Sequence, residues 1–157
     1  MKTPYVAERF EEVKLALERA AAWGSADPEL SAYFAGYLVV LLCGVVEDCA
    51  EHLVSIRVAK ARDEGLGSFV RARVSATFRS PNKENFTKIV KDFGPAYHKQ
   101  FRTKIPEGAT DALDSIFFNK NALAHGDTSK LNVTLGDVAD YLQRSSLVFD
   151  VLEEVLR

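Results

Sequence analysis

Three observations in the sequence predict an all-α bundle of about seven helices, some of them short, organised around a long second helix. Apolar residues recur three and four positions apart in almost every stretch, and no stretch alternates convincingly as a strand would. The helix-starting pairs Thr3-Pro4, Asp27-Pro28 and Gly94-Pro95 punctuate the chain. Residues 31–46 carry no charge, which marks a helix that something else must cover.

Thr3 supplies a capping hydroxyl ahead of Pro4, and Val6, Phe10, Val13 and Leu17 then give the first helix one apolar face, ending near Trp23-Gly24. Asp27-Pro28 starts the second helix, expected to run toward Ala61. Its first half, with Tyr33, Phe34, Tyr37, Leu38 and Val40, is apolar nearly all round and belongs at the bundle centre or at a subunit interface. Its second half keeps only the stripe Cys49, Leu53 and Ile56. Gly36 and Gly44 each weaken that helix by about 1 kcal/mol, so the close approach of another backbone is expected there.

Gly65-Leu66-Gly67 should break the pattern, leaving Ser68 to cap a short third helix with Phe69, Val70, Val74 and Phe78 inside and Arg71, Arg73 and Arg79 outside. Ser80-Pro81-Asn82 is a further stop. Phe86, Ile89, Val90 and Phe93 make a fourth helix, and Gly94-Pro95 opens a fifth carrying Tyr97 and Phe101 among His98, Lys99, Arg102 and Lys104. Aromatic faces in basic company can stack unpaired bases, but the four-residue spacing more simply turns both rings to the core. The sixth helix starts at Thr110-Asp111 and closes at His125, with Gly126 in the left-handed position that ends many helices. A polar loop is expected over 127–133. Thr134 then caps a last helix whose face is Leu135, Val138, Tyr141 or Leu142, Ser145, Val148 or Phe149, and Leu152.

At 157 residues, 47% hydrophobic and 27% charged, the chain has the makings of one soluble domain over 1–157. Cys43 and Cys49, six apart on a helix, point to different sides, so a reduced cytoplasmic setting fits. The first twenty residues include Glu8, Glu11, Glu12 and Glu18 and lack the apolar segment of a secretory signal. The uncharged run falls short of the roughly 20 residues that cross a bilayer and stops at Glu47-Asp48, so it reads as a buried helix rather than a membrane span. Three histidines without metal-ligand spacing, and no complete glycine-rich phosphate loop, leave neither a metal nor a cofactor expected. The net charge of -2 hides an asymmetry: residues 57–104 hold twelve Lys and Arg against four acids, a surplus of +8, and the rest of the chain stands at -10. Such a segment suits a polyanion such as RNA, or simply a set of solvated helices. Within it Arg71, Arg73, Lys99 and Arg102 are the candidate RNA contacts.

The chemistry concentrates in Phe117-Phe118-Asn119-Lys120-Asn121-Ala122-Leu123-Ala124-His125-Gly126. The carbonyl end of a helix favours a cationic imidazole, which would let His125 act as acid or base. Asn121 lies one turn back on nearly the same face. Lys120 lies five residues back, about 140° round, so one helix does not aim both Lys120 and His125 at one atom. Glu47 and Asp48, at the end of the apolar run, are candidates to orient Lys120 or His125.

Lys120-Asn121-Ala122-Leu123-Ala124-His125-Gly126 resembles the signature of the HEPN superfamily, an Arg, commonly with Asn after it, followed by a His a few residues on. Among its small stand-alone members the chain is most similar to the RiboL-PSP-HEPN group, associated with RNA repair and phage defence. The resemblance implies a HEPN-like helical bundle and a metal-independent endoribonuclease whose motifs pair across a homodimer. It implies His125 moving a proton as the ribose 2′-hydroxyl attacks the adjacent phosphate, Lys120 stabilising the charge that develops there, and Asn121 holding a phosphate oxygen or fixing the His tautomer. The products would carry a 2′,3′-cyclic phosphate and a 5′-hydroxyl. Lys120 stands where the family has Arg, keeping the charge but losing the fork that grips a phosphate twice. That departure is the argument for the alternative, an inactive HEPN module that binds RNA or a partner protein such as an antitoxin or RNA-repair protein. A third reading, the toxin of a toxin–antitoxin pair with a nucleotidyltransferase, ranks lower, because Asp127 stands where such toxins commonly have Tyr.

Overall fold

Caps and prolines set the helix boundaries. Asp27 accepts from the backbone N–H groups of Glu29 and Leu30 ahead of Pro28, and Asn82 accepts from that of Asn85. Thr134 and Asp137 form a reciprocal capping box. The computed structural model describes residues 3–24, 26–78, 81–126 and 133–157, and among them it is all-helical. The elements are α1 (Pro4–Gly24), α2 (Pro28–Ala59), α3 (Glu64–Phe78), α4 (Lys83–Asp92), α5 (Pro95–Lys104), α6 (Asp111–Ala124) and α7 (Leu135–Val155). The seven helices and the long second one agree with the sequence pattern. The loop expected after His125 falls, Val133 apart, on 127–132, outside the described residues; so do Arg79, Ser80 and the side chain of Phe78.

α2 packs against α1, α3, α6 and α7, which makes it the axis of the bundle. By length and composition alone it would pass for a membrane-crossing helix, with a mean hydropathy of 1.8 over its most apolar window. Its apolar residues nevertheless divide: Ala35, Leu38, Val39, Leu42 and Val46 are buried, whereas Tyr33 is 70% and Tyr37 64% exposed. Phe149 of α7 fastens the far side, meeting Phe10 of α1 and Phe86 of α4 edge-on at 5.2 and 5.8 Å between ring centres.

Four expectations change. α3 begins at Glu64, not at Ser68, because the Asp63 side chain accepts from the Leu66 N–H and its carbonyl from the Gly67 N–H. A cap at Asp63 outweighs the modest cost of two glycines in the first turn. Phe69, expected inside, is 64% exposed, while Val74 of the same helix is buried. The close approach expected at both glycines of α2 occurs at one: a Cβ on Gly36 would lie 3.3 Å from Leu123 Cδ2, a side chain and not a backbone, and on Gly44 it would meet nothing within 4 Å. α2 also ends slightly early, with Arg62 turning left-handed at φ 54°.

Thr134 carries the start of α7, so Thr134→Ala should cost about 1 kcal/mol and lower Tm by a few degrees in a thermal melt. An unchanged Tm would mean that the box is not formed in solution.

Candidate functional site

The six-residue frame from Lys120 to His125 is laid down by α6 and by the way it stops. The His125 N–H donates to the Asn121 carbonyl at 3.0 Å, the Gly126 N–H to that of Leu123 at 3.1 Å, and Gly126 takes φ 68° as the sequence required. α6 lies antiparallel against α2: Leu123 sits on Gly36, while Lys120 lies within electrostatic reach of Cys43 and Glu47 further along.

This seating divides the motif. Asp114, Phe118, Asn121 and His125, spaced four, three and four apart, share one face of α6. With Phe117, Ala122 and Asn82 they line a cleft of about 550 Å³. His125 is exposed at its end, Asn121 is half-buried and the Phe118 ring is 57% exposed. Asn82 and Asp114 are fixed by their hydrogen bonds, since the Asn82 oxygen caps α4 and Asp114 Oδ1 accepts from the Lys83 N–H at 2.9 Å. Lys83 also pairs with Asp111 at 2.8 Å, tying α4 to the start of α6.

Lys120 does not line this cleft. It turns, half-buried, toward α2, where the Cys43 thiol donates to Glu47 Oε1 at 3.5 Å. Burial pushes the Cys43 thiol up to about 12, so it is a core thiol and no nucleophile. Burial also raises the Glu47 carboxyl, against the lowering pull of its bond to Cys43 and of the Lys120 charge. Of the two acids singled out in the sequence, Glu47 therefore faces the motif lysine, while Asp48 accepts from Arg9 of α1 at 3.0 Å.

The candidate RNA contacts are not gathered at the cleft. Arg71 lines a groove between the end of α2 and α3, and Arg73 lines another between α3 and α4 with Lys88. Lys99 and Arg102 are exposed on α5, while Phe101 of the same helix is buried. Tyr97 is half-buried under Arg57, whose guanidinium lies 5.6 Å from the ring centre and donates to its hydroxyl, so both α5 aromatics serve packing. His52 stacks on Tyr5 at 4.2 Å. Among the described residues no three His, Cys, Asp or Glu side chains are placed to hold a metal ion.

No known family model, curated protein or solved structure matches the chain. Sequence reasoning gave no site role to Asn82, Asp114, Phe117 or Phe118, although the last two stand in the stretch that it singled out. The helical spacing behind His125 could have found Asp114 and Phe118, but Asn82 comes from another helix.

A carboxyl raised by burial costs stability while ionised, and that cost is relieved as the pH falls through its raised pKa toward the ordinary value of 4.5. Glu47→Gln should accordingly raise Tm at neutral pH, and the gain should shrink on acidification. A gain independent of pH would disprove the assignment.

Proposed function

We propose that the protein is a metal-independent endoribonuclease of HEPN type that works as a homodimer in the cytoplasm, in RNA processing or phage defence. The observation that carries this reading is the division of the motif. His125 and Asn121 open on a cleft large enough for a nucleotide, and the only motif cation, Lys120, is turned to the adjoining side of the same helix.

A second copy is the economical way to return a cation to His125. Tyr33, Tyr37, Val40 and Gly44 lie about 40–100° round α2 from Gly36, so they form an open apolar strip beside the seam with α6. The strip leads toward Glu47 and Lys120, and two copies meeting along it bring two motif helices together. Within such a pair His125 moves the proton between the 2′-hydroxyl or the leaving 5′-oxygen and solvent, and a lysine stabilises the charge on the phosphate. Asn121 positions a phosphate oxygen or the imidazole tautomer.

The alternative, a HEPN module that binds RNA or a partner protein without cutting, draws on the same lysine. Its ammonium is a single point charge and faces Glu47, so it grips phosphate less well than an arginine fork.

Labelled structured RNA incubated in EDTA separates these readings. The expected result is cleavage leaving 2′,3′-cyclic phosphate, abolished by His125→Ala and unchanged or faster with Lys120→Arg. Cleavage that survives in His125→Ala would sink the site assignment. No cleavage by the wild type or by Lys120→Arg would favour the binding module.

The dimer has its own test. Tyr37→Asp should leave the circular dichroism unchanged, because the ring is 64% exposed, and should convert a dimer to a monomer in sedimentation. A wild-type monomer would refute the paired site.

A further inference from the structure

We infer that the cleft beside His125 is a base-recognition subsite that selects an unpaired guanine next to the phosphate under attack. The inference rests on the reading of the motif face as an RNA site.

Its floor and walls combine an open aromatic face with polar groups that are already held in place. Phe118 offers a ring to solvent one helical turn from Asp114 and just under one turn from Asn121. Every base has a face that can stack on such a ring, so Phe118 supplies affinity without choice. Choice comes from Asp114 and Asn82. Ionised, the Asp114 carboxylate only accepts hydrogen bonds, and one oxygen is already engaged by the Lys83 N–H. Its other oxygen and the remaining lone pairs can therefore take N–H donors only. Asn82 spends its oxygen on capping α4, which leaves its amide group as the donor on the cleft wall.

An acceptor beside a donor selects among the bases. Guanine presents two adjacent donors, N1–H and the N2 amino group, next to the O6 acceptor. Adenine and cytosine can turn their amino group to the carboxylate and a ring nitrogen to the Asn82 amide, but they bring one donor where guanine brings two, and uracil offers one N–H between two carbonyls. The carboxylate also repels phosphate, so Asp114 belongs to a base contact and not to a backbone one. His125 lies eleven residues from Asp114 along the helix, roughly 16 Å, with Phe118 and Asn121 between them. A base stacked on Phe118 thus leaves its sugar and phosphate on the His125 side.

The test is fluorescence anisotropy with short labelled 2′-O-methyl oligonucleotides that differ in one central base, G, A, C, U or inosine. Methylation removes the attacking hydroxyl, so binding is read without cleavage. The expected result is tightest binding with guanine, with inosine weaker for want of the N2 amino group. Asp114→Asn keeps an oxygen for the Lys83 N–H and should lower guanine affinity about tenfold, toward the level of the other bases. Phe118→Ala should weaken all bases alike, about tenfold.

Equal affinity for all five oligonucleotides, or a guanine preference untouched in Asp114→Asn, would overturn the inference. So would a Phe118→Ala variant that dissociates the dimer with binding intact, because the cleft would then belong to the protein interface. Guanine selection in a protein that cuts no RNA would leave the subsite standing and remove the nuclease reading. Cleavage dependent on His125 without base selection would do the reverse.

Discussion

The seating of Leu123 on Gly36 is the constraint on which the rest of the site depends. A Cβ at Gly36 would lie 3.3 Å from Leu123 Cδ2, so a larger residue there would make that side chain give way by a few tenths of an ångström, and the bare position lets Leu123 seat directly on α2. That contact sets the rotation of α6 about its own axis. Rotation in turn decides which motif side chains face the bundle and which face solvent. With Leu123 against α2, Lys120 is carried toward Cys43 and Glu47, and the face holding Asp114, Phe118, Asn121 and His125 turns outward.

The same rotation gives the cation an environment different from that of the histidine. Lys120 sits half-buried near a thiol–carboxylate pair whose carboxyl is raised by burial. A lysine so placed is held by attraction to Glu47, but without an ion pair tight enough to withdraw it from use. His125 stands at an open helix end with the backbone fixed by two hydrogen bonds and a left-handed glycine. One group is positioned by the core and the other by the terminus of its helix, so a second protomer is needed to join them only if both act on the same phosphate.

Much of this was legible in the sequence, and the reasons differ from element to element. Pro4, Asp27-Pro28, Gly94-Pro95 and Thr134 are local signals, and helices begin beside each of them. The end of α6 at His125-Gly126 was legible for the same reason. The start of α3 was not, because Gly65 and Gly67 weigh against a helix in any local reading while the cap that rescues it, Asp63, lies just upstream. The exposure of Phe69 depends on which neighbours reach it, and periodicity does not encode that. Asn82 reaches the cleft only because Lys83 is bound to Asp111 and Asp114, a contact between residues some thirty apart in the chain.

The placement of the charge bears on what RNA could do here. Within 57–104, Arg71 and Arg73 lie on α3 and Lys99 and Arg102 on α5, and none of these four lines the cleft. Attraction of a polyanion by that segment would therefore concentrate RNA near the protein without fixing which phosphate meets His125. Fixing it would fall to groups that line the cleft, Asn82 and Asp114, held by their hydrogen bonds, and Asn121, with Phe118 offering a stacking surface. Affinity and register would then be set by separate parts of the molecule. Removing one of the distant cations should weaken binding similarly for every sequence, whereas changing Asp114 should alter which sequence is bound.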